Sequence, residues 1–197
     1  MTPLPINITR NFVFNNYNSV WSLCHDDGSN SYIDTFNLLP WSGSKNYLGF
    51  NKTTENNYFV MADAAPLALA RAAARAGGAH ASPGGPPLDS GWNACVMSYG
   101  EEATAFPDTW RNNTCTTAKA SFFSLSGCND AAPLNGTLPR LAGNTWAADS
   151  GNYSLKCGKS SWTLAEAQAR GVDVGSVVVP SPSTADVIAA GRALLQM

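Results

Sequence analysis

The chain has 197 residues, enough for one domain and too few for two comfortable ones. Charged residues make up 13% and the formal net charge is −2, which leaves neither a basic face for nucleic acid nor an acidic tail. No apolar run approaches the roughly 20 residues of a membrane helix. The polar content is instead Asn, Ser, Thr and Gly, a composition suited to β-structure with many turns and to a surface that hydrogen-bonds neutral polar ligands.

The N-terminal Met1-Thr-Pro-Leu-Pro-Ile has no charged n-region and no apolar core. The expectation is the C-terminal portion of a longer secreted protein. From residue 6 to about 63 the sequence predicts short strands at Phe12–Phe14, Ser19–Leu23, Tyr32–Leu39, Tyr47–Phe50 and Tyr58–Met61, rich in aromatic and β-branched residues and separated by Asn, Gly, Ser or Asp. An asparagine precedes a short run at Asn11, Asn37, Asn57, Asn113 and Asn144. The first three are 26 and 20 residues apart, an irregular period on the scale of one coil of a repeat architecture. A coil of three short strands cannot bury its own inner face and must stack on neighbours. An Asn at one corner of every coil can then donate and accept along the stack, forming a ladder. The same residues also suit ordinary turns.

Residues 62–91 break the pattern with low-complexity Ala, Gly and Pro, and are expected to be a disordered or loosely helical insertion between coils, with helix propensity over Leu67–Ala76. Strands return at Ala94–Tyr99, Trp110–Thr117, Ala120–Leu125, Thr145–Ala147 and Tyr153–Lys156. Two helices close the chain. The first starts at a capping box, Thr163 to Glu166, and stops at Gly171. The second starts at Ser183 with Asp186 three residues on. Both are expected to cover the open end of the stack. The domain reading is coils over 1–160, interrupted at 62–91, and a helical cap over 161–197.

Cys24, Cys95, Cys115, Cys128 and Cys157 form no CxxC pair, so a zinc knuckle is not expected. An odd count leaves at least one thiol free or paired outside the chain, and Cys24, alone in its half, is the expected free one. Four cysteines allow three pairings, which spacing does not choose among. Glycosylation sequons begin at Asn7, Asn51, Asn112, Asn135 and Asn152. Together with the cysteines they point to an oxidising, secretory compartment, with buried cytosolic thiols as the other reading.

Candidate chemistry concentrates in Cys24-His25-Asp26-Asp27-Gly28-Ser29, at the end of a strand. Equivalent positions of successive coils lie about 4.8 Å apart. Carboxylates on adjacent coils would meet the roughly 5 Å of a retaining glycosidase, and wider spacing an inverting one. Side-chain alternation allows one of Asp26 and Asp27 into a cleft unless the chain is already turning at Gly28. Lys45 can keep a neighbouring carboxylate ionised, contact substrate charge, or act as a base in lyase chemistry. Trp21, Trp41 and Tyr47 could stack on sugar rings, though core packing suits Trp21 better. The His25-Asp26-Asp27 run also reads as an Asx-type turn with solvated charges, or as a calcium site that lacks DxDxDG spacing. No other cofactor and no metal is expected.

Three stretches carry a resemblance. They are Tyr17-Asn-Ser-Val-Trp-Ser-Leu-Cys-His-Asp-Asp-Gly-Ser, Gly43-Ser-Lys-Asn-Tyr-Leu-Gly-Phe-Asn-Lys and Leu164-Ala-Glu-Ala-Gln-Ala-Arg-Gly-Val-Asp-Val-Gly-Ser. In them the chain resembles the right-handed parallel β-helix proteins of the pectin-lyase-like superfamily, over residues 6–62 and 92–197. The resemblance implies an all-β solenoid with short C-terminal capping helices and a carbohydrate-facing groove, in which His25, Asp26 and Asp27 are the acids and Lys45, Trp41 and Tyr47 contact substrate. Of the polygalacturonase motifs (Asn-Thr-Asp, Asp-Asp, His-Gly, Arg-x-Lys) only Asp26-Asp27 has a counterpart. The arginine base and calcium-binding acids of pectate lyases have no place in the sequence. The expected function is a secreted monomer that binds or cleaves an extracellular polysaccharide, as hydrolase or lyase. Against it stands a non-catalytic surface or adhesion module, or an inactive fragment of a larger β-helix protein.

Overall fold

A computed structural model describes residues 4–13, 21–40, 43–61, 95–99, 106–117, 121–126, 139–148, 151–157 and 159–197. The predicted insertion and Trp41 lie outside them. The described chain is mostly β, with three parallel sheets and two helices.

The sheets are filled in rotation. Sheet A holds β1 (Ile6–Thr9), β3 (Tyr32–Thr35), β6 (Thr53–Glu55), β9 (Thr109–Arg111) and β12 (Arg140–Ala142). Sheet B holds β4 (Leu38–Pro40), β7 (Tyr58–Val60), β10 (Thr114–Thr117), β13 (Thr145–Ala148) and β16 (Val177–Val179). Sheet C holds β2 (Trp21–His25), β5 (Gly43–Tyr47), β8 (Val96–Tyr99), β11 (Ser121–Ser126), β14 (Ser154–Cys157) and β15 (Ser160–Trp162). Neighbouring strands are parallel except β14 and β15, which are antiparallel. One pass through A, B and C makes a round.

The corner from A to B is built alike in every round. One residue takes a left-handed conformation, at Arg10, Phe36, Asn56, Asn112, Gly143 and Gly175. The ladder residue follows it. Asn11 donates from N and Nδ2 to Asn37 Oδ1 at 2.9 and 3.0 Å. Asn37 does the same to Asn57 Oδ1, at 2.9 Å for both. Asn57 repeats it to Asn113 at 2.9 and 3.1 Å, and Asn113 to Asn144 at 3.0 and 3.4 Å. Each buried Asn also donates Nδ2 to a carbonyl of sheet A: Ile8, Asp34, Thr54 and Trp110 in turn. The last rung ends on Ser176 Oγ at 2.7 Å and Asp173 Oδ1 at 3.0 Å. Asp173 accepts from Trp146 Nε1 and Tyr153 OH as well, which satisfies a carboxylate that is fully buried. The Asn ladder expected from sequence is therefore present at all five positions.

The ladder splits two predicted strands. Tyr32–Leu39 turns at Phe36-Asn37, and Trp110–Thr117 turns at Asn112-Asn113. Tyr47–Phe50 is displaced: β5 ends at Tyr47, because Leu48 and Gly49 both have positive φ.

Inward rows follow the registers. Leu39, Phe59, Cys115 and Trp146 align on sheet B. Asp34, Thr54, Trp110 and Leu141 align on sheet A. Phe59 and Trp110 pack across the interior with ring centroids 5.0 Å apart. A disulfide joins Cys95 to Cys115, Cys157 is also disulfide-bonded, and Cys24 is free and exposed, as expected.

Helix α1 (Leu164–Ala169) has the predicted capping box and packs Ala167 into the core beside β14 and β15. Helix α2 (Thr184–Leu195) has its box too, Ser183 with Asp186, but it does not cover an end. It lies along the outer face of sheet B. Its buried Gly191 sits against Leu38, and Arg10 Nη1 donates to Leu194 O at 3.1 Å. The physical reason is that the outward positions Leu38 and Tyr58 need cover, and β16 delivers the chain onto that same sheet.

Candidate functional site

Side chains alternate along β2, so the predicted catalytic run is divided between two faces. Leu23 and His25 point inward and are buried; Cys24 and Asp26 point outward and are exposed. His25 thus shares no cleft with Asp26. Its Nε2 lies 2.6 Å from Asp34 Oδ2, and its ring packs on Tyr32 at 4.4 Å. Asp27 sits in a backbone turn closed by Ser29 N donating to Asp26 O at 3.0 Å.

The outward cluster lies on sheet C. Cys24 is the register partner of Lys45. Lys45 Nζ pairs with Asp26 Oδ1, while Cys24 Sγ donates to Asp26 Oδ2 at 3.7 Å. Lys45 also stands 4.9 Å over the Tyr47 ring. The hydrogen bond from Lys45 holds the Asp26 carboxyl below its usual range. Burial draws the Lys45 ammonium down, but Asp26 and the charges of Cys24 and Asp27 outweigh it and hold Lys45 above its usual value. Burial pushes the Cys24 thiol up, with Asp26 adding to it against Lys45. An ionised carboxylate, an ammonium and a phenol ring side by side can hydrogen-bond and stack on a polar ring. Asp26 in this state does not supply a proton at neutral pH.

A second set of charged groups, not singled out from sequence, is buried. Lys52 Nζ lies 3.0 Å from Asp108 Oδ2, and Asp108 Oδ1 accepts from Lys52 N at 2.8 Å. Burial pushes the Asp108 carboxyl up against the pull of Lys52. Asp34, the buried partner of His25, is not singled out from sequence either; its signal is alternation, since it falls on the inward phase of β3 once that strand ends at Thr35 rather than running on to Leu39.

Of the sequon asparagines, Asn7, Asn51, Asn112 and Asn152 are exposed and Asn135 lies outside the described residues. Among the described residues no group of three or more His, Cys, Asp or Glu is placed to hold a metal ion, and no helix is long and apolar enough to cross a membrane. The disulfide is compatible with an extracellular protein. Compared with known proteins, the chain matches no family model, no curated protein and no solved structure.

Proposed function

We propose that this chain is a secreted, monomeric protein of the right-handed parallel β-helix type that binds an extracellular polysaccharide along the outer face of sheet C. The observation that carries the reading is the Asp26–Lys45 pair beside the Tyr47 ring. Three sheets filled in rotation by parallel strands are compatible with a solenoid, and the outer face of sheet C presents side chains at strand spacing, about 4.8 Å. A ring stacked on Tyr47 with hydroxyls on Asp26 and Lys45 fits that surface. Binding is favoured over cleavage, because Lys45 keeps the Asp26 carboxyl ionised and His25 is turned away from it.

The test is retention on a panel of immobilised polysaccharides, with reducing ends and unsaturated products assayed alongside. Wild type should be retained by at least one without product. Tyr47→Ala and Lys45→Ala should each weaken it about tenfold, which is about 1.4 kcal/mol. Equal retention by wild type and both variants would remove sheet C as the binding face. Products formed by wild type and lost in Asp26→Asn would replace binding with cleavage.

A further inference from the structure

Where sheets A and C face each other the interior of the early rounds is polar, and its hydrogen-bonding capacity is incomplete there. Asp34 and Thr54 are register partners on sheet A. His25 and Asn46 are register partners on sheet C, and Ser44 points inward two residues before Asn46. The contact of His25 with Asp34 at 2.6 Å shows that the two sheets meet across the interior at this level. Asn46 stands one strand on from His25, and Thr54 one strand on from Asp34, so these side chains line the next level of the same space.

All are at most 4% exposed. Among the described residues, Asp34 Oδ1, Asn46 Oδ1, Ser44 Oγ and Thr54 Oγ1 have no hydrogen-bond partner. A buried polar group left unmatched costs stability, and native interiors match such groups with protein or water partners. Their chemistry is complementary in one respect. The carboxylate and amide oxygens are acceptors, whereas the two hydroxyls each have a proton to donate. A water molecule donates twice and accepts twice. A bare cation would take all four oxygens as ligands and leave both hydroxyl protons without acceptors.

We propose that this level of the interior is an internal water site. One water donates to Asp34 Oδ1 and Asn46 Oδ1, accepts from Ser44 and Thr54, and so bridges sheets A and C. It completes the coordination of Asp34, whose other oxygen is held by His25. Buried waters with several such partners exchange slowly and form part of the structure. The site is independent of the outer face of sheet C.

Water–protein NOE spectroscopy of the full chain tests it. The Asn46 side-chain amide and the backbone amides of Ser44 and Thr54 should show cross-peaks to a water of long residence time. Absence of these peaks in the wild type overturns the proposal. The Thr54→Val/Asn46→Leu variant removes one donor and one acceptor, and should lose the peaks at Ser44 while the ladder amides of Asn57 and Asn113 stay protected. Persistence at Ser44 overturns it. If the double variant does not fold, Thr54→Val alone should lower the peak intensity severalfold, and an unchanged intensity counts against the site. A transition temperature that depends on which alkali or alkaline-earth chloride is present at fixed ionic strength, without the water peaks, would assign the site to a cation instead.

Discussion

Asn57 shows what a single ladder residue does. Its Oδ1 accepts from both Asn37 N and Asn37 Nδ2, and its Nδ2 donates to Asp34 O and Asn113 Oδ1. It is 2% exposed, so water cannot replace these partners. Asn57→Ala would strand the Asn37 N–H and the Asp34 carbonyl in the interior. At about 1–3 kcal/mol for each stranded group, the loss should be about 3–5 kcal/mol in a urea titration. Part of any alanine effect is lost volume, which Asn57→Leu restores without restoring a hydrogen bond. Leu at 57 should therefore be nearly as damaging as Ala. Recovery by Leu to within about 1 kcal/mol of wild type would mean that packing, and not the amide, holds this corner.

Corners are the elements on which the rounds depend, and they explain what could be seen beforehand. The ladder asparagines were legible because each stands directly before a strand-like run. Where the strands broke was not, since the left-handed residue before the Asn is Arg10 or Phe36 as readily as Gly143. A corner made without glycine leaves no turn signal, and Tyr32–Leu39 therefore looked continuous. Losing that break lost the phase of β3, and with it the inward aim of Asp34. The run His25-Asp26-Asp27 looks like one cluster in sequence, although adjacent strand residues face opposite ways. The caps of both helices were fully local, and both were found where expected, but the surface α2 covers is long-range and left no local mark. The other corner, from sheet C to sheet A, can be tested with glycines. Gly28 and Gly49 both have positive φ, +74° and +72°. A Cβ on Gly28 meets nothing within 4 Å, whereas one on Gly49 would lie 1.9 Å from Ser29 O, which is backbone. Gly28→Ala should cost only the conformational strain, about 1 kcal/mol. Gly49→Ala must also push the neighbouring round away, and should cost about 3 kcal/mol or more. Equal thermal shifts for the two would show that the rounds are free to move apart there.

Taken as a whole, the molecule is uneven along its length. The general outline, parallel β-structure with an Asn ladder, follows from the repeat of Asn and apolar runs. The gradient inside it does not, because inward and outward residues separate only once every corner is placed. Besides Leu23, Leu39 and Phe59, the early rounds enclose His25, Asp34, Ser44, Asn46 and Thr54, whereas the late rounds enclose Trp110, Cys115, Trp146, Leu141 and Leu155. Aromatic burial stabilises the late rounds strongly, and the Cys95–Cys115 bridge fastens the chain to the third and fourth rounds. The early rounds rest on polar networks, whose net contribution is small once desolvation is counted. Within each sheet a strand is hydrogen-bonded only to its neighbours, so local opening starts where burial is weakest. Native-state hydrogen exchange should therefore give the amides of β3, β5 and β6 an opening free energy about 2 kcal/mol or more below those of β10 and β13. The backbone bonds of the ladder alone would predict otherwise, since the N–H to Oδ1 distances are 2.9, 2.9 and 3.0 Å from Asn37 to Asn113. Uniform protection along the rounds would thus mean that the amide ladder, and not the side-chain interior, sets the cooperativity of this protein.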